Sequence, residues 1–116
     1  MLKSAGDMIQ EAQQNIECVD VATAKKIYDE NSDAVIVDVR EAHSANESKL
    51  SNSINISRGL LEMQVHKVCP EATTVILTHC GGGGRASLAA HTLKQLGYAE
   101  VYAITAPFEE IKEVFG

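Results

Sequence analysis

Thr73-Thr74-Val75-Ile76-Leu77-Thr78-His79-Cys80-Gly81-Gly82-Gly83-Gly84-Arg85 is a β-branched, apolar run that halts at a cysteine and four glycines. Such a run reads as a strand buried on both faces, as parallel strands under helices are. A helix follows directly, with Ala89, Leu93 and Leu96 on one face and Gly97 placed as its C-terminal cap. Strand, glycine loop and helix in this order predict an α/β unit with its loop at the carboxyl end of the strand.

The rest of the chain repeats the alternation. Ala34-Val35-Ile36-Val37-Asp38-Val39 is a second continuous β-branched run and is expected at the centre of the sheet. Ile16 to Val19 predicts a short strand, after which Asp20 can cap a helix whose apolar face is Val21, Ala24, Ile27 and Tyr28. Asn31-Ser32-Asp33 closes that helix. Arg40 to Ser53 reads as polar loop anchored by Leu50, Ile54-Asn55-Ile56 as a short strand, and Gly59 to Val68 as a helix. Val101 to Ile104 is the last strand, and Pro107 opens a final helix with Phe108, Ile111 and Phe115 inward. Leu2, Ala5, Ile9, Ala12 and Ile16 fall at helical spacing, so residues 1–15 predict a helical extension on a domain of residues 16–116. The expected fold is α/β, with a central, mostly parallel five-stranded sheet and helices on both faces.

Bulk properties narrow the function. A chain of 116 residues supports one core, and 45% hydrophobic with 22% charged residues is ordinary for a packed globular domain. The net charge is -6, and the ten Lys and Arg residues form no stripe, so nucleic acid is not an expected partner. No stretch reaches the length of a membrane span and Met1 to Asp7 lacks the apolar core of a signal peptide, which sets the expectation of a cytoplasmic protein with no membrane partner. Three cysteines, Cys18, Cys69 and Cys80, suit reduced thiols better than a disulfide framework. Cys18 and Cys69 read as small buried hydrophobes; four glycines behind Cys80 make that reading poor for it.

In an open α/β sheet, ligands bind beyond the carboxyl ends of the strands, where a glycine loop leading into a helix presents backbone N–H groups. Cys80 is the first residue there. The positive end of the helix and a nearby cation favour the charged, reactive form of a thiol, and Arg85 supplies an always-charged guanidinium. Glycines permit the positive φ values that let successive amides curl toward an anion. Four in a row are also flexible, so a bound group is expected to help order the loop.

Taken together, these segments resemble single-domain rhodaneses, sulfurtransferases that hold a persulfide on the loop cysteine. Val35-Ile36-Val37-Asp38-Val39-Arg40-Glu41 is similar to the family's first strong motif, Ser48 to Ile56 with Leu50, Ile54 and Asn55 to its second, and Gly97-Tyr98 to Ile104 with the last helix to its end. The resemblance runs from about residue 16 to the C-terminus and implies a rhodanese-like fold. It implies Cys80 as the persulfide nucleophile, Gly81, Gly82, Gly83 and Gly84 as the cradle, and Arg85 facing the bound anion. Asp38 and Arg40 would support the loop; the plain alternative is a surface ion pair. No metal or organic cofactor is implied. The implied partners are a small sulfur-donor anion, a thiol or cyanide acceptor, and a protein sulfur donor or acceptor. The chain departs from the family where Gly-His and Gly-Ala pairs are usual, reading Ser48-Lys49 and Asn52-Ser53, and again at Ala106-Pro107.

Other readings of the same residues are weaker. Cysteine phosphatases place five residues between Cys and Arg where this loop has four, and no general-acid aspartate stands out. Gly81, Gly83 and Ala86 satisfy a relaxed dinucleotide fingerprint, yet the acid that should follow the next strand is missing, and a Walker loop would need a lysine where Arg85 stands. His43, His66, His79 and His91 show no metal-ligand spacing, and Glu109, Glu110 and Glu113 read as a solvated helix face. Arg58 is a candidate to lean toward the loop and add positive potential. A rhodanese-like module that only binds partners or relays sulfur is the rival of a different class; such modules often lack the cysteine kept here.

Overall fold

The computed structural model describes residues 1–116. In chain order the elements are α1 (Ala5–Gln13), β1 (Glu17–Val19), α2 (Val21–Glu30), β2 (Val35–Asp38), α3 (Ala42–Glu47), β3 (Ser53–Asn55), a 3-10 turn (Arg58–Leu60) running into α4 (Leu61–Val68), β4 (Ile76–His79), α5 (Gly84–Leu96), β5 (Val101–Ile104) and α6 (Phe108–Phe115). All five strands are parallel and lie in the order β1-β5-β4-β2-β3. The two β-branched runs therefore pair at the centre, with Asp38 opposite His79.

Two apolar clusters cover the two faces. Val37, Val39 and Ile76 meet Leu61 and Val65 of α4 and Ala86, Ala89, Ala90 and Leu93 of α5 on one side. Ile36, Leu77 and Ile104 meet Ala24 of α2 and Phe108 and Ile111 of α6 on the other. The connection after β2 carries Leu50 into the second cluster, while α5, after β4, packs in the first. Connections that leave neighbouring strands for opposite faces open a crevice between the carboxyl ends of those strands, the position where α/β sheets bind ligands. The carboxyl ends concerned are those of β2 at Asp38 and of β4 at His79, which leads directly into Cys80.

Local chemistry explains the element ends. Asp20 accepts a hydrogen bond from the Thr23 amide and starts α2, as its sequence predicts. Ser4 and Asp7 close a capping box on α1. Gly97 ends α5 with φ 114°, the left-handed conformation expected of a C-terminal cap.

Three expectations are corrected. Residues 42–47 form a helix rather than loop, with Ala45 buried; six residues are too few for an apolar period to show in sequence. Leu96, the last residue of α5, is 49% exposed and does not join Ala89 and Leu93 in the core. Cys18 is exposed, not a buried hydrophobe, since β1 is a three-residue edge strand that buries only Val19. No helix is long and apolar enough to cross a membrane.

Candidate active site

The loop after β4 holds its cysteine inward. Cys80 is 1% exposed, and its Sγ accepts hydrogen bonds from the amides of Gly83 at 3.0 Å and Ala86 at 3.3 Å. The second of these is one of the first-turn N–H groups of α5, which have no partner inside the helix. Gly83, the N-cap residue, has no side chain to satisfy it, so the cysteine sulfur takes the place of a capping oxygen. The sulfur thus faces the positive end of the α5 dipole.

The curl that brings the amides round requires glycine at one position. Gly83 has φ 108°, and a β-carbon there would stand 3.1 Å from the Thr105 backbone on β5's exit. Gly83→Ala is therefore expected to lower stability by about 1–2 kcal/mol from the left-handed conformation alone and to slow reaction of Cys80 by moving the amide off sulfur. Urea unfolding and the alkylation rate of Cys80 check both parts. An alanine variant of unchanged stability and reactivity would mean that the loop does not need this conformation.

Arg85 is exposed and makes no ion pair; its guanidinium lies beside Gly81, 3.5 Å from where a β-carbon on that glycine would be. Gly81 and Gly82 are exposed and form the rim. Arg58, by contrast, is committed elsewhere, donating to Glu62 at 3.1 Å and to Thr92 Oγ1 at 2.8 Å, so it does not lean toward the loop.

Asp38 and Arg40 are not a surface pair. Asp38 is fully buried and Arg40 is 7% exposed; Nε and Nη2 of Arg40 donate to the carboxylate at 3.0 and 2.8 Å, and Nη2 also donates to the Ser48 carbonyl at 2.7 Å. Burial pushes the Asp38 carboxyl up, yet hydrogen bonds from the Arg40 side chain and backbone outweigh it and leave the group below the usual aspartate value. The Arg40 guanidinium lies 3.9 Å from the Phe108 ring centroid, and Phe108 in turn stacks on His79 at 5.9 Å. The Phe108 amide donates to the Gly81 carbonyl at 3.1 Å. Phe108 thus ties the ion pair at the carboxyl end of β2 to the loop after β4.

His79 is fully buried, and neither ring nitrogen has a hydrogen-bond partner. Burial holds it below the ordinary histidine value against the raising pull of Asp38, so at neutral pH it is uncharged and adds no positive potential behind Cys80. His43 and His66 are exposed on the surface, and no group of His, Cys, Asp or Glu side chains is arranged to hold a metal ion. Glu109, Glu110 and Glu113 face solvent.

The model of the rhodanese-like domain matches residues 20–113, which include every strand but β1 and the whole cysteine loop. The chain belongs to the rhodanese-like family. Among solved structures, this rhodanese-like chain is similar to a protein of unknown function from Rhodopseudomonas palustris CGA009 described as a possible tyrosine phosphatase (26% identity, TM-score 0.86, 100% of this chain and 94% of that one). It is similar in fold to the polysulfide-sulfur transferase homodimer of Wolinella succinogenes (24% identity, TM-score 0.75, 91% of this chain and 80% of that one). The human single-domain sulfurtransferase also shares the fold (19% identity, TM-score 0.71, 83% of this chain and 95% of that one). A search of the curated proteins gave no match.

Against the usual rhodanese-like pattern, the departures close on themselves. Where Gly-His and Gly-Ala pairs are common, the Ser48 carbonyl receives Arg40, Lys49 Nζ donates to the Ser53 carbonyl at 2.7 Å, and Ser53 Oγ donates to the Leu50 carbonyl at 3.2 Å. Pro107 precedes α6 as its N-cap and sets Phe108 against the loop. Two contributors were not visible in sequence. Ala86 acts through its amide, which no side-chain pattern reveals, and Phe108 reads in sequence only as an inward helix residue.

Proposed function

We propose that this rhodanese-like chain is a sulfurtransferase that moves sulfane sulfur from a donor such as thiosulfate or polysulfide to a thiophilic acceptor through a Cys80 persulfide. The observation that carries the reading is the Cys80 sulfur seated on the Gly83 and Ala86 amides at the head of α5, with Arg85 as an unpaired cation beside the rim. Cys80 thiolate attacks the outer sulfur of the donor; the donor's S–S bond breaks, and sulfite or a shortened polysulfide leaves with the electron pair. Cyanide or a thiolate then attacks the terminal persulfide sulfur, and the pair returns to Cys80. Electrons balance within the two displacements, and no metal or organic cofactor is called for.

Arg85 and the loop amides stabilise the anionic donor and the terminal sulfur. The acidic net charge does not oppose this, because Arg85 and the amides act within a few ångströms while distant carboxylates are screened by salt. Asp38 and Arg40 have no free charge to offer substrate; their role is to hold Phe108 and, through it, the rim at Gly81. Arg85→Ala is expected to raise KM for thiosulfate by about tenfold, the low end for a charge-assisted hydrogen bond, with kcat less affected. Unchanged thiosulfate dependence in steady-state assays would remove Arg85 from donor binding. Three free cysteines suit a reducing, cytoplasmic setting for such a thiol.

A second reading has one observation behind it: the Rhodopseudomonas protein described as a possible tyrosine phosphatase, at 26% identity over the whole chain. The loop keeps four residues between Cys80 and Arg85, a smaller cradle that suits a persulfide sulfur better than tetrahedral phosphate. Release of phosphate from an aryl phosphate, abolished by Cys80→Ser, would favour the phosphatase. A sulfur-relay or binding module would show neither sulfur turnover on small donors nor phosphate release.

A further inference from the structure

The extension at the N-terminus does more than cover apolar surface. α1 lies along α5, and Gln13 Nε2 donates to Ser87 Oγ at 3.1 Å. Ser87, fully buried, donates from that hydroxyl to the Gly83 carbonyl at 2.7 Å. Gly83 in turn donates its amide to the Cys80 sulfur at 3.0 Å. One turn before Gln13, Ile9 fills the notch at the head of α5: a β-carbon on Gly84 would stand 2.9 Å from Ile9 Cδ1. The two contacts from α1 fall on consecutive residues, Gly83 by way of Ser87 and Gly84 directly.

We propose that Gln13 and Ile9 are positioning residues of the Cys80 cradle, with α1 acting as its fixed wall. This rests on the reading of Cys80 as the nucleophile. Four successive glycines carry no conformational preference of their own, so the loop's geometry must be imposed from outside. Ser87 on the Gly83 carbonyl fixes one peptide plane and so the direction of Gly83. A donor from Gln13 on the same hydroxyl directs the Ser87 proton toward that carbonyl, since a hydroxyl that accepts from one side is a better donor on the other. Ile9 prevents the first residue of α5 from sliding outward. The consequence at sulfur is a Gly83 amide that stays on Cys80 rather than sampling the wide range open to glycine.

The test reads alkylation of Cys80 by iodoacetamide at neutral pH in the full chain, with peptide mass mapping to separate it from Cys18 and Cys69. Gln13→Glu keeps length and shape and removes the donor; Gln13→Lys keeps a donor. The rate is expected to fall about two- to tenfold in Gln13→Glu, the range a single hydrogen bond supports, and to stay within about twofold of wild type in Gln13→Lys. Gln14→Glu, on an exposed neighbour with the same charge change, is expected to leave the rate unchanged. Ser87→Ala should slow alkylation, and Gln13→Glu should then add nothing to it. Equal rates in Gln13→Glu and wild type, or effects of Gln13 and Ser87 that simply multiply, would overturn the proposal. Alkylation involves no sulfur transfer, so absence of sulfurtransferase activity in the wild type would count against the proposed function and leave this result standing.

Discussion

Cys80→Ser is expected to abolish sulfur transfer while leaving the fold intact. Serine is close in size to cysteine, and its oxygen can accept from the same Gly83 and Ala86 amides, so the head of α5 keeps a capping partner. What is lost is chemistry: a hydroxyl offers neither the nucleophilic anion nor a stable site for a transferred sulfur. The other two thiols lack the setting. Burial pushes the Cys69 thiol up, which keeps it protonated in the core beside α4. Burial also pushes the Cys18 thiol up, and Cys18 sits on the edge strand β1 and is not part of the loop that follows β4. Cys18→Ser and Cys69→Ser are therefore expected to retain most of the activity in a thiosulfate–cyanide assay. Comparable loss in all three variants would rule out a single nucleophile.

Asp38→Ala is expected to cost about 3–5 kcal/mol of folding stability, because it leaves the Arg40 guanidinium buried without its counter-charge. A domain of this size has about 5–15 kcal/mol in total, so the variant should sit near its unfolding threshold. Replacing both partners, as Asp38→Leu with Arg40→Met, should recover only part of that loss: apolar side chains need no desolvation, but the Arg40 amide loses its bond to the Asp38 carboxylate and the Ser48 carbonyl its bond from Arg40. Activity should not recover with it, as Arg40 would no longer lie against Phe108 and Phe108 holds the loop at Gly81. The pair also gives stability a pH dependence of known sign. The Asp38 pKa is lower folded than unfolded, so its contribution is complete above the unfolded aspartate value and fades as pH falls through the folded one. Urea denaturation at several pH values measures all of this. A loss under about 1 kcal/mol in Asp38→Ala would place the pair with ordinary surface pairs instead.

How much of this was legible in the sequence depends on whether a feature is carried by side-chain pattern or by backbone. Ala34 to Val39 and Thr73 to Thr78 announced the central strands because burial on both faces leaves an unbroken apolar run, and β2 and β4 do pair there. Asp20 and Gly97 announced helix ends because capping needs those residue types. The short α3 carried no readable period. Sequence singles out Cys80, its glycines and Arg85 as the candidate site, and raises Asp38 and Arg40 without deciding whether they are buried. It did not reveal that the sulfur would be held by the Ala86 amide, that Phe108 would join β2 to the loop, or that Ser87 and Gln13 would reach Gly83. Those links depend on which elements become neighbours in space, and local spacing does not encode that.

The central claim is a persulfide on one cysteine, and intact mass spectrometry tests it most directly. After incubation with thiosulfate or polysulfide the protein is expected to gain one sulfur atom, mapped to Cys80, absent in Cys80→Ser and removed by cyanide. A protein that gains no sulfur from either donor, or gains it equally at Cys18 and Cys69, would contradict the account.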